Sequence, residues 1–245
     1  MIYVTQGILV IFFAALAYQI LKRRRLRINL IFSGFFLSII VGFIFNMSYA
    51  AISPIFGEVI IFLHFLSSFF VYFGLIFILI VNLIILESTV IFSIKRQNTY
   101  IFLYSIILFF GMLILILLPD PFNILGVDIT PSGRPGWKPV FFGFMISIIS
   151  GFAIIPIIIT SFKIYFSFES RALKKKWLYY LIGSLGLIVC NLYPIYILNL
   201  LTHIIPENSF LDNLRSTLSI LGISVIFWAL LMYYGIGFKL KKING

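Results

Sequence analysis

The 245-residue sequence is 62% hydrophobic and only 10% charged, yet its formal net charge is +11. Soluble domains contain about 45–50% apolar residues, so the composition excludes a soluble protein and predicts an integral membrane protein. The basic residues cluster at the ends of hydrophobic segments, which is typical of charges that set membrane orientation, and we expect no nucleic-acid partner. With a single cysteine, Cys190, the chain cannot form an intramolecular disulfide.

Seven hydrophobic runs are long enough to cross a bilayer, since a spanning helix needs about 20 residues. They cover residues 3–21, 28–51, 58–87, 99–118, 139–164, 177–201 and 216–238. None shows the polar and apolar alternation of a transmembrane β-strand. The sequence therefore predicts an all-α integral membrane protein, with residues 1–245 forming a single bundle of seven transmembrane helices.

The distribution of positive charge predicts the orientation of this bundle. A basic cluster at 22–27 follows the first run instead of preceding it, so we expect an uncleaved anchor with its N-terminus outside. Counting alternately from there, the inner segments carry 15 of the 18 Lys and Arg residues. Positive charge resists translocation, so the C-terminus is expected in the cytoplasm of a multi-pass cell-membrane protein.

The longest segment that cannot lie in a bilayer is 119–138, between the fourth and fifth runs. It contains four prolines and three glycines, so it is predicted to be a long outer loop. Val127, Ile129 and Thr130 predict one short strand within it, half of a small hairpin.

Aromatic residues near the ends of the runs are interpreted as interfacial anchors. They are Trp137, Trp177, Tyr233 and Tyr234. Within the runs, asparagines such as Asn82 are predicted to bond across helices, and Gly183, Gly186 and Cys190 predict a seam of close helix packing.

Few intramembrane residues carry chemistry. No Asp, Glu, Lys or Arg lies in the middle third of a predicted span, which disfavours ion-coupled transport. His64 and His203 lie near the outer ends of the third and sixth helices. Bonding to loops or water is the favoured interpretation of both, with pH sensing and haem ligation as less favoured alternatives. We expect no cofactor, no metal and no enzyme activity.

The stretch NLYPIY at 191–196 places polar groups beside a proline in the sixth run. Pro194 has no amide hydrogen, so it frees the carbonyl of Cys190 and kinks the helix; Pro156 does the same in the fifth run. Both prolines are predicted hinges. The kinked segment predicts either simple packing or the wall of a pocket for an unknown small molecule. The predicted pocket residues are His64, Asn46, Asn191, Tyr193 and Tyr196.

A second basic cluster precedes the sixth run. It comprises Arg171, Lys174, Lys175 and Lys176. Anionic lipid at the cytoplasmic face attracts such residues, and lipid anchoring is the favoured interpretation. The alternative is that the cluster also binds a soluble cytoplasmic partner.

The seven spans, the outer loop after the fourth span and the basic stretch RALKKKWLYYLIG resemble the seven-helix sensor region of some archaeal and bacterial histidine kinases. The resemblance implies a seven-helix sensor. Those kinases continue into a cytoplasmic PAS or kinase domain, whereas this sequence stops seven residues after Phe238. We therefore expect a receptor-like sensor without its own output domain, which signals through a separate protein. The alternatives are a transporter that is not ion-coupled and an accessory subunit of a membrane complex.

Overall fold

The computed structural model describes residues 2–23, 26–52, 54–129, 135–194, 197, 201 and 223–236. Most of these residues are helical, because a helix satisfies its own backbone hydrogen bonds where water is absent. The helices are α1 (Ile2–Arg23), α2 (Arg27–Ala50), α3 (Gly57–Ile91), α4 (Ile94–Leu117), α5 (Pro139–Ile149), α6 (Ile155–Ser167), α7 (Arg171–Leu187) and α8 (Ser224–Ile236). A 3₁₀ turn (Pro54–Phe56) precedes α3, and π-helical turns follow α5 (Ser150–Ile154) and α7 (Ile188–Leu192).

Among the residues that the structure describes, five helices are long and apolar enough to cross a membrane. They are Val4–Lys22, Arg27–Ala50, Gly57–Ser88, Ile94–Leu117 and Pro139–Ser167, the last formed by α5, its π turn and α6. These helices confirm the prediction of an all-helical membrane protein. The number of seven spans and their orientation stay predictions. The part of α7 from residue 177 onward and the shorter α8 coincide with parts of the last two predicted spans.

The connection between α3 and α4 is short, because α3 has a non-helical residue at Ser88 and ends at Ile91, and α4 begins at Ile94. Arg27 holds this tight turn. Its guanidinium donates to the carbonyls of Phe92 (2.6 Å) and Ser93 (3.2 Å) and to Oε1 of Gln97 (2.7 Å). The Phe92 side chain is buried, and the centre of its ring lies 5.6 Å from the same guanidinium. A charge that sequence reasoning assigned to topology thus also fixes a connection between helices.

Close packing joins α2 to α3. A Cβ added at Gly42 would lie 2.6 Å from the Val71 side chain and 3.0 Å from the Ser67 carbonyl, so only glycine allows this approach. Ser38 donates to the Phe70 carbonyl at 2.6 Å. Small residues with interhelical hydrogen bonds are the usual basis of helix association in lipid.

The seam predicted on the sixth run is present between α7 and α8. A Cβ on Gly183 would lie 2.6 Å from the Trp228 carbonyl, and one on Gly186 would lie 2.3 Å from the Trp228 ring. Cys190, which was expected in the same seam, is instead exposed. The π turn at Ile188–Leu192 accounts for this, since it rotates the following residues relative to a regular α-helix.

The outer loop forms the predicted hairpin. Strand β1 (Val127–Ile129) pairs antiparallel with β2 (Pro135–Trp137), with Val127 opposite Trp137. Thr130, the last residue of the predicted strand, lies outside the described residues. We call this side of the helices the hairpin end. The opposite side, where Arg27 and Arg96 lie, is the basic end.

Candidate functional site

A cavity of about 370 Å³ lies between α3, α4 and the helix formed by α5 and α6. This volume is within the range of about 300–1,000 Å³ for small-molecule sites. Most of its wall is apolar, and its lining includes Ile76, Leu79, Leu83, Leu103, Ile107 and Phe152. Leu103 and Phe152 are more than half exposed (53% and 51%), so the cavity opens sideways between α4 and α5–α6. On each helix its lining lies towards the basic end.

The buried hydroxyl groups of the cavity wall already have partners. The Tyr104 hydroxyl donates to the Tyr72 carbonyl at 3.1 Å, and the Thr160 hydroxyl donates to the Pro156 carbonyl at 2.6 Å. A buried hydroxyl without a partner would be costly, so both bonds are expected to persist. The cavity therefore favours a ligand that is largely hydrocarbon.

Asn82 lies at the centre of a buried polar cluster that includes Thr160 of the cavity wall. Its amide nitrogen lies 3.1 Å from the Ile157 carbonyl, 3.0 Å from the Thr160 hydroxyl and 2.8 Å from the Ser161 hydroxyl. Its amide oxygen accepts a 2.9 Å hydrogen bond from Tyr180. One side chain thus links α3, α6 and α7, as the interpretation of Asn82 as interhelical packing predicted.

Each predicted hinge proline lies two residues after the end of a π-helical turn. Ser150–Ile154 precedes Pro156, and Ile188–Leu192 precedes Pro194. Proline cannot donate to the carbonyl one turn earlier, and single π turns are common at functional sites. The hydroxyls of Ser150 and Tyr193 are 3.1 Å apart, so a hydrogen bond joins the two π-helical regions. Pro156 also lines the cavity.

The predicted pocket residues have separate partners. Asn46 accepts a hydrogen bond from Gln6 (3.1 Å), Asn191 accepts one from Ser224 (3.4 Å), and His64 accepts one from Trp137 (2.8 Å). Tyr193 bonds Ser150, as above, and Tyr196 lies outside the described residues. None of the four described side chains lines the 370 Å³ cavity or the smaller one of about 260 Å³ between α7 and α8. The pocket at the hairpin end stays a prediction.

Two tryptophans predicted to be interfacial anchors are buried instead. Trp137 belongs to β2, is 1% exposed and donates to His64. Trp177 is 0% exposed and donates to the Ser161 carbonyl at 2.8 Å. Their indole N–H groups found partners inside the bundle, which stabilises burial of the whole ring.

The two adjacent tyrosines of α8 have different roles. Tyr233 is buried and donates to Oε1 of Gln19 on α1 at 2.9 Å. Tyr234 is 64% exposed, as expected of an interfacial anchor.

An ion cluster ties the base of the hairpin together. Lys138 lies 2.8 Å from Asp120 and 3.1 Å from Asp128. Partial burial opposes ionisation of Asp120, but hydrogen bonds from Lys138 and from the amides of Ile124 and Leu125 outweigh it and hold its pKa below the ordinary value. Burial likewise opposes charge on Lys138, and its two carboxylate partners raise its pKa overall.

The cluster Arg171, Lys174, Lys175 and Lys176, which precedes the sixth predicted span, lies in the first two turns of α7. Lys174 is half-buried, with its ammonium 5.0 Å from the Tyr165 ring, and the other three residues are exposed. The basic cluster is thus presented on a helix continuous with Asn191 and Pro194. Movement of α7 would move it directly.

Sequence reasoning missed the cavity. Its wall consists of Leu, Ile, Phe and Tyr residues, which also cover lipid-facing surfaces. The only available signal was the pair Gly151 and Pro156, which marks an irregular turn of a spanning helix. Its position beside two other helices depends on tertiary packing that the pattern does not encode.

Comparison with protein-family models, curated proteins and solved structures gave no significant match. The fold and cavity define an all-helical membrane protein with an apolar site among its helices.

Proposed function

We propose that this protein is a receptor-like sensor of the cell membrane, with seven spanning helices, its N-terminus outside and its C-terminus in the cytoplasm. It detects a small molecule and signals through a separate cytoplasmic protein. The orientation is supported by the position of Arg27, Arg96, Lys163 and the Arg171–Lys176 cluster at one end of the described helices. Positive charge concentrates on the cytoplasmic side of membrane proteins.

The observation that carries the proposal is that the cavity borders a hinge. Gly151, Phe152 and Pro156 line the cavity, and they lie in or beside the first π turn. Ser150, in that same turn, bonds Tyr193 just after the second π turn. A molecule that fills or leaves the cavity would therefore contact the first π turn and Pro156, where the regular hydrogen bonding of the helix is interrupted. This turn is connected to α7 through the hydrogen bond between Ser150 and Tyr193.

The output runs along α7. Asn82 bonds both α6 and Tyr180 of α7, so these two helices respond together. At the basic end, α7 presents the exposed side chains of Arg171, Lys175 and Lys176. We infer that a change in the tilt or rotation of α7 alters how this basic cluster meets its partner.

Two other functions receive less support. A transporter needs a polar path across the bundle, whereas the wall of the larger cavity is mostly apolar and its buried hydroxyls are bonded internally. A purely structural accessory subunit does not need a cavity beside a proline hinge. Neither alternative uses the link between Ser150 and Tyr193.

The test of the proposal is cross-linking in native membranes with Arg171, Lys174, Lys175 and Lys176 all replaced by Gln. We expect a cytoplasmic protein to cross-link to the wild type and to be lost from the Gln variant, while membrane insertion is unchanged. A charge-retaining control replaces the three lysines by Arg and should keep the partner. Capture of no partner by the wild type, or equal capture by the Gln variant, would contradict the proposal.

A further inference from the structure

The cavity between α3, α4 and α5–α6 opens sideways, and this determines how a ligand reaches it. Leu103 and Phe152, on the two sides of the opening, belong to candidate spans and are exposed on the surface of the bundle. Lipid hydrocarbon covers such a surface in a membrane. A ligand therefore enters from the bilayer and must itself be membrane-soluble.

The rim of the cavity at the basic end is charged. Along α4 the lining residues Tyr100 and Tyr104 are followed, one turn towards that end, by Arg96, which falls on the same helix face. The Arg96 guanidinium lies 5.8 Å from the centre of the Tyr100 ring. On α6, Lys163 follows the lining residue Thr160 by three positions, again on the same face and towards the same end.

The net charge of this rim is positive. Arg96 is paired with Glu87 of α3 at 2.5 Å. Lys163 is exposed and forms no ion pair with any residue in the described ranges. These three side chains together carry a net charge of +1, which favours an anionic group at this end of the apolar cavity.

The depth of the site matches one leaflet. Arg96 and Ile107 are 11 residues apart on α4, or about 16 Å along a helix with a rise of 1.5 Å per residue. Half of a hydrocarbon core of ~30 Å is about 15 Å. A chain whose headgroup lies at the rim would end near Ile107 and Gly151, at the far end of the cavity lining.

We propose that the cavity holds one acyl chain of an anionic glycerophospholipid, with its phosphate between Lys163 and Arg96. Moving an acyl chain from bilayer to cavity gains little hydrophobic free energy, because both surroundings are hydrocarbon. Selectivity consequently comes from the headgroup charge and from the shape of the cavity. This assignment deepens the proposed function by naming its ligand class, and it is tested by occupancy alone, independently of any cytoplasmic partner.

Gly151 and Gly143 provide a matched pair of variants. A Cβ added at either position meets no atom within 4 Å, so each should accept a larger side chain. Gly151 lines the cavity, whereas Gly143 lies on the same helical segment and does not. Gly151→Leu should fill the site, and Gly143→Leu makes the same chemical change elsewhere.

The experiment uses the full chain in vesicles that contain phosphatidylglycerol or phosphatidylcholine with a photoreactive group at mid-chain. Labelled residues are identified by mass spectrometry. In the wild type we expect labelling of Leu103, Ile107 and Phe152 to exceed that of exposed Ile8 on α1, and phosphatidylglycerol to label more than phosphatidylcholine. The Gly151→Leu variant should lose the excess labelling of the cavity residues over Ile8, and the Gly143→Leu variant should keep it.

Lys163→Gln tests the headgroup contact without altering the cavity. It should lower the preference for phosphatidylglycerol about fivefold, which corresponds to about 1 kcal/mol for one basic residue near the membrane surface. Labelling of the cavity no stronger than that of Ile8, or unchanged in Gly151→Leu, would overturn the assignment. An unchanged lipid preference in Lys163→Gln would refute the headgroup contact.

Discussion

One buried polar side chain can link several helices of this bundle. Asn82 is 0% exposed, lies in a candidate span and bonds two neighbouring helices. Interhelical hydrogen bonds in membranes are worth ~0.6 kcal/mol on average. A larger effect arises when one partner is removed and the other is left buried.

Replacing Asn82 by Leu is expected to destabilise the protein by about 1–3 kcal/mol, because the buried Tyr180 hydroxyl loses its acceptor. Thermal unfolding in detergent measures the change. In the double variant Asn82→Leu/Tyr180→Phe both partners are gone, so part of the stability should return. Additive losses in the double variant would show that the two residues are not coupled; Asn98→Leu, at an exposed position, is the control.

The ion cluster of the hairpin predicts a pH dependence. The lowered pKa of Asp120 means that its contribution to stability is complete above the unfolded value of about 3.9 and is lost as pH falls through the folded value. Asp120→Asn should therefore melt below the wild type at pH 7, and this difference should shrink below about pH 4. An equal difference at pH 7 and pH 3 would contradict this contribution.

The regular helices could be predicted from the sequence, whereas the irregular turns within them could be predicted only in part. Apolar runs of spanning length predicted α1 to α4 and the helix formed by α5 and α6, because a helix satisfies its own backbone hydrogen bonds in lipid. Pro156 and Pro194 predicted that their helices are irregular, but they did not predict that the irregular segments would be π-helical turns. The role of Arg27 could not be predicted, because it is distant in sequence from the turn between α3 and α4 that it stabilises.

The candidate site was predicted less well than the fold. Of its residues, only the hinge Pro156 was singled out from the sequence, since proline has a local effect on any helix. The burial of Trp137 and Trp177 was missed because an aromatic residue at a helix end suits an interface as well as a core. Their partners, His64 and the Ser161 carbonyl, are brought close only by folding.

Pro156→Ala tests whether the first π turn depends on proline. The restored amide can donate to the carbonyl one turn earlier, so the π turn should become a regular helix. Hydrogen exchange at residues 150–156 should slow, as measured by mass spectrometry. Pro121→Ala, outside the helices, is the control. Unchanged exchange in Pro156→Ala would mean that packing, and not proline, maintains the π turn.

The whole molecule has chemically different ends, with the hairpin at one and most of the described basic residues at the other. The proposed orientation predicts that single cysteines at Phe122 and Ser170, in a Cys190→Ser background, react from opposite sides of intact cells. Phe122 is 80% exposed and Ser170 immediately precedes α7, so both are accessible. Phe122→Cys should react with an impermeant reagent from outside. Labelling of both sites from the same side would contradict the orientation.

The most direct test of the sensor proposal is the distance between α4 and the start of α7 when the side chain of Gly151→Leu replaces the lipid chain in the cavity. Spin labels at Asn98→Cys and Ser170→Cys, in the Cys190→Ser background, report this distance by pulsed electron paramagnetic resonance. Gly151→Leu should shift the distribution by about 1–2 Å or more, the scale of helix shifts in switching proteins, and Gly143→Leu should not. Superimposable distributions for Gly151→Leu and the unsubstituted background would contradict coupling between the cavity and the basic end.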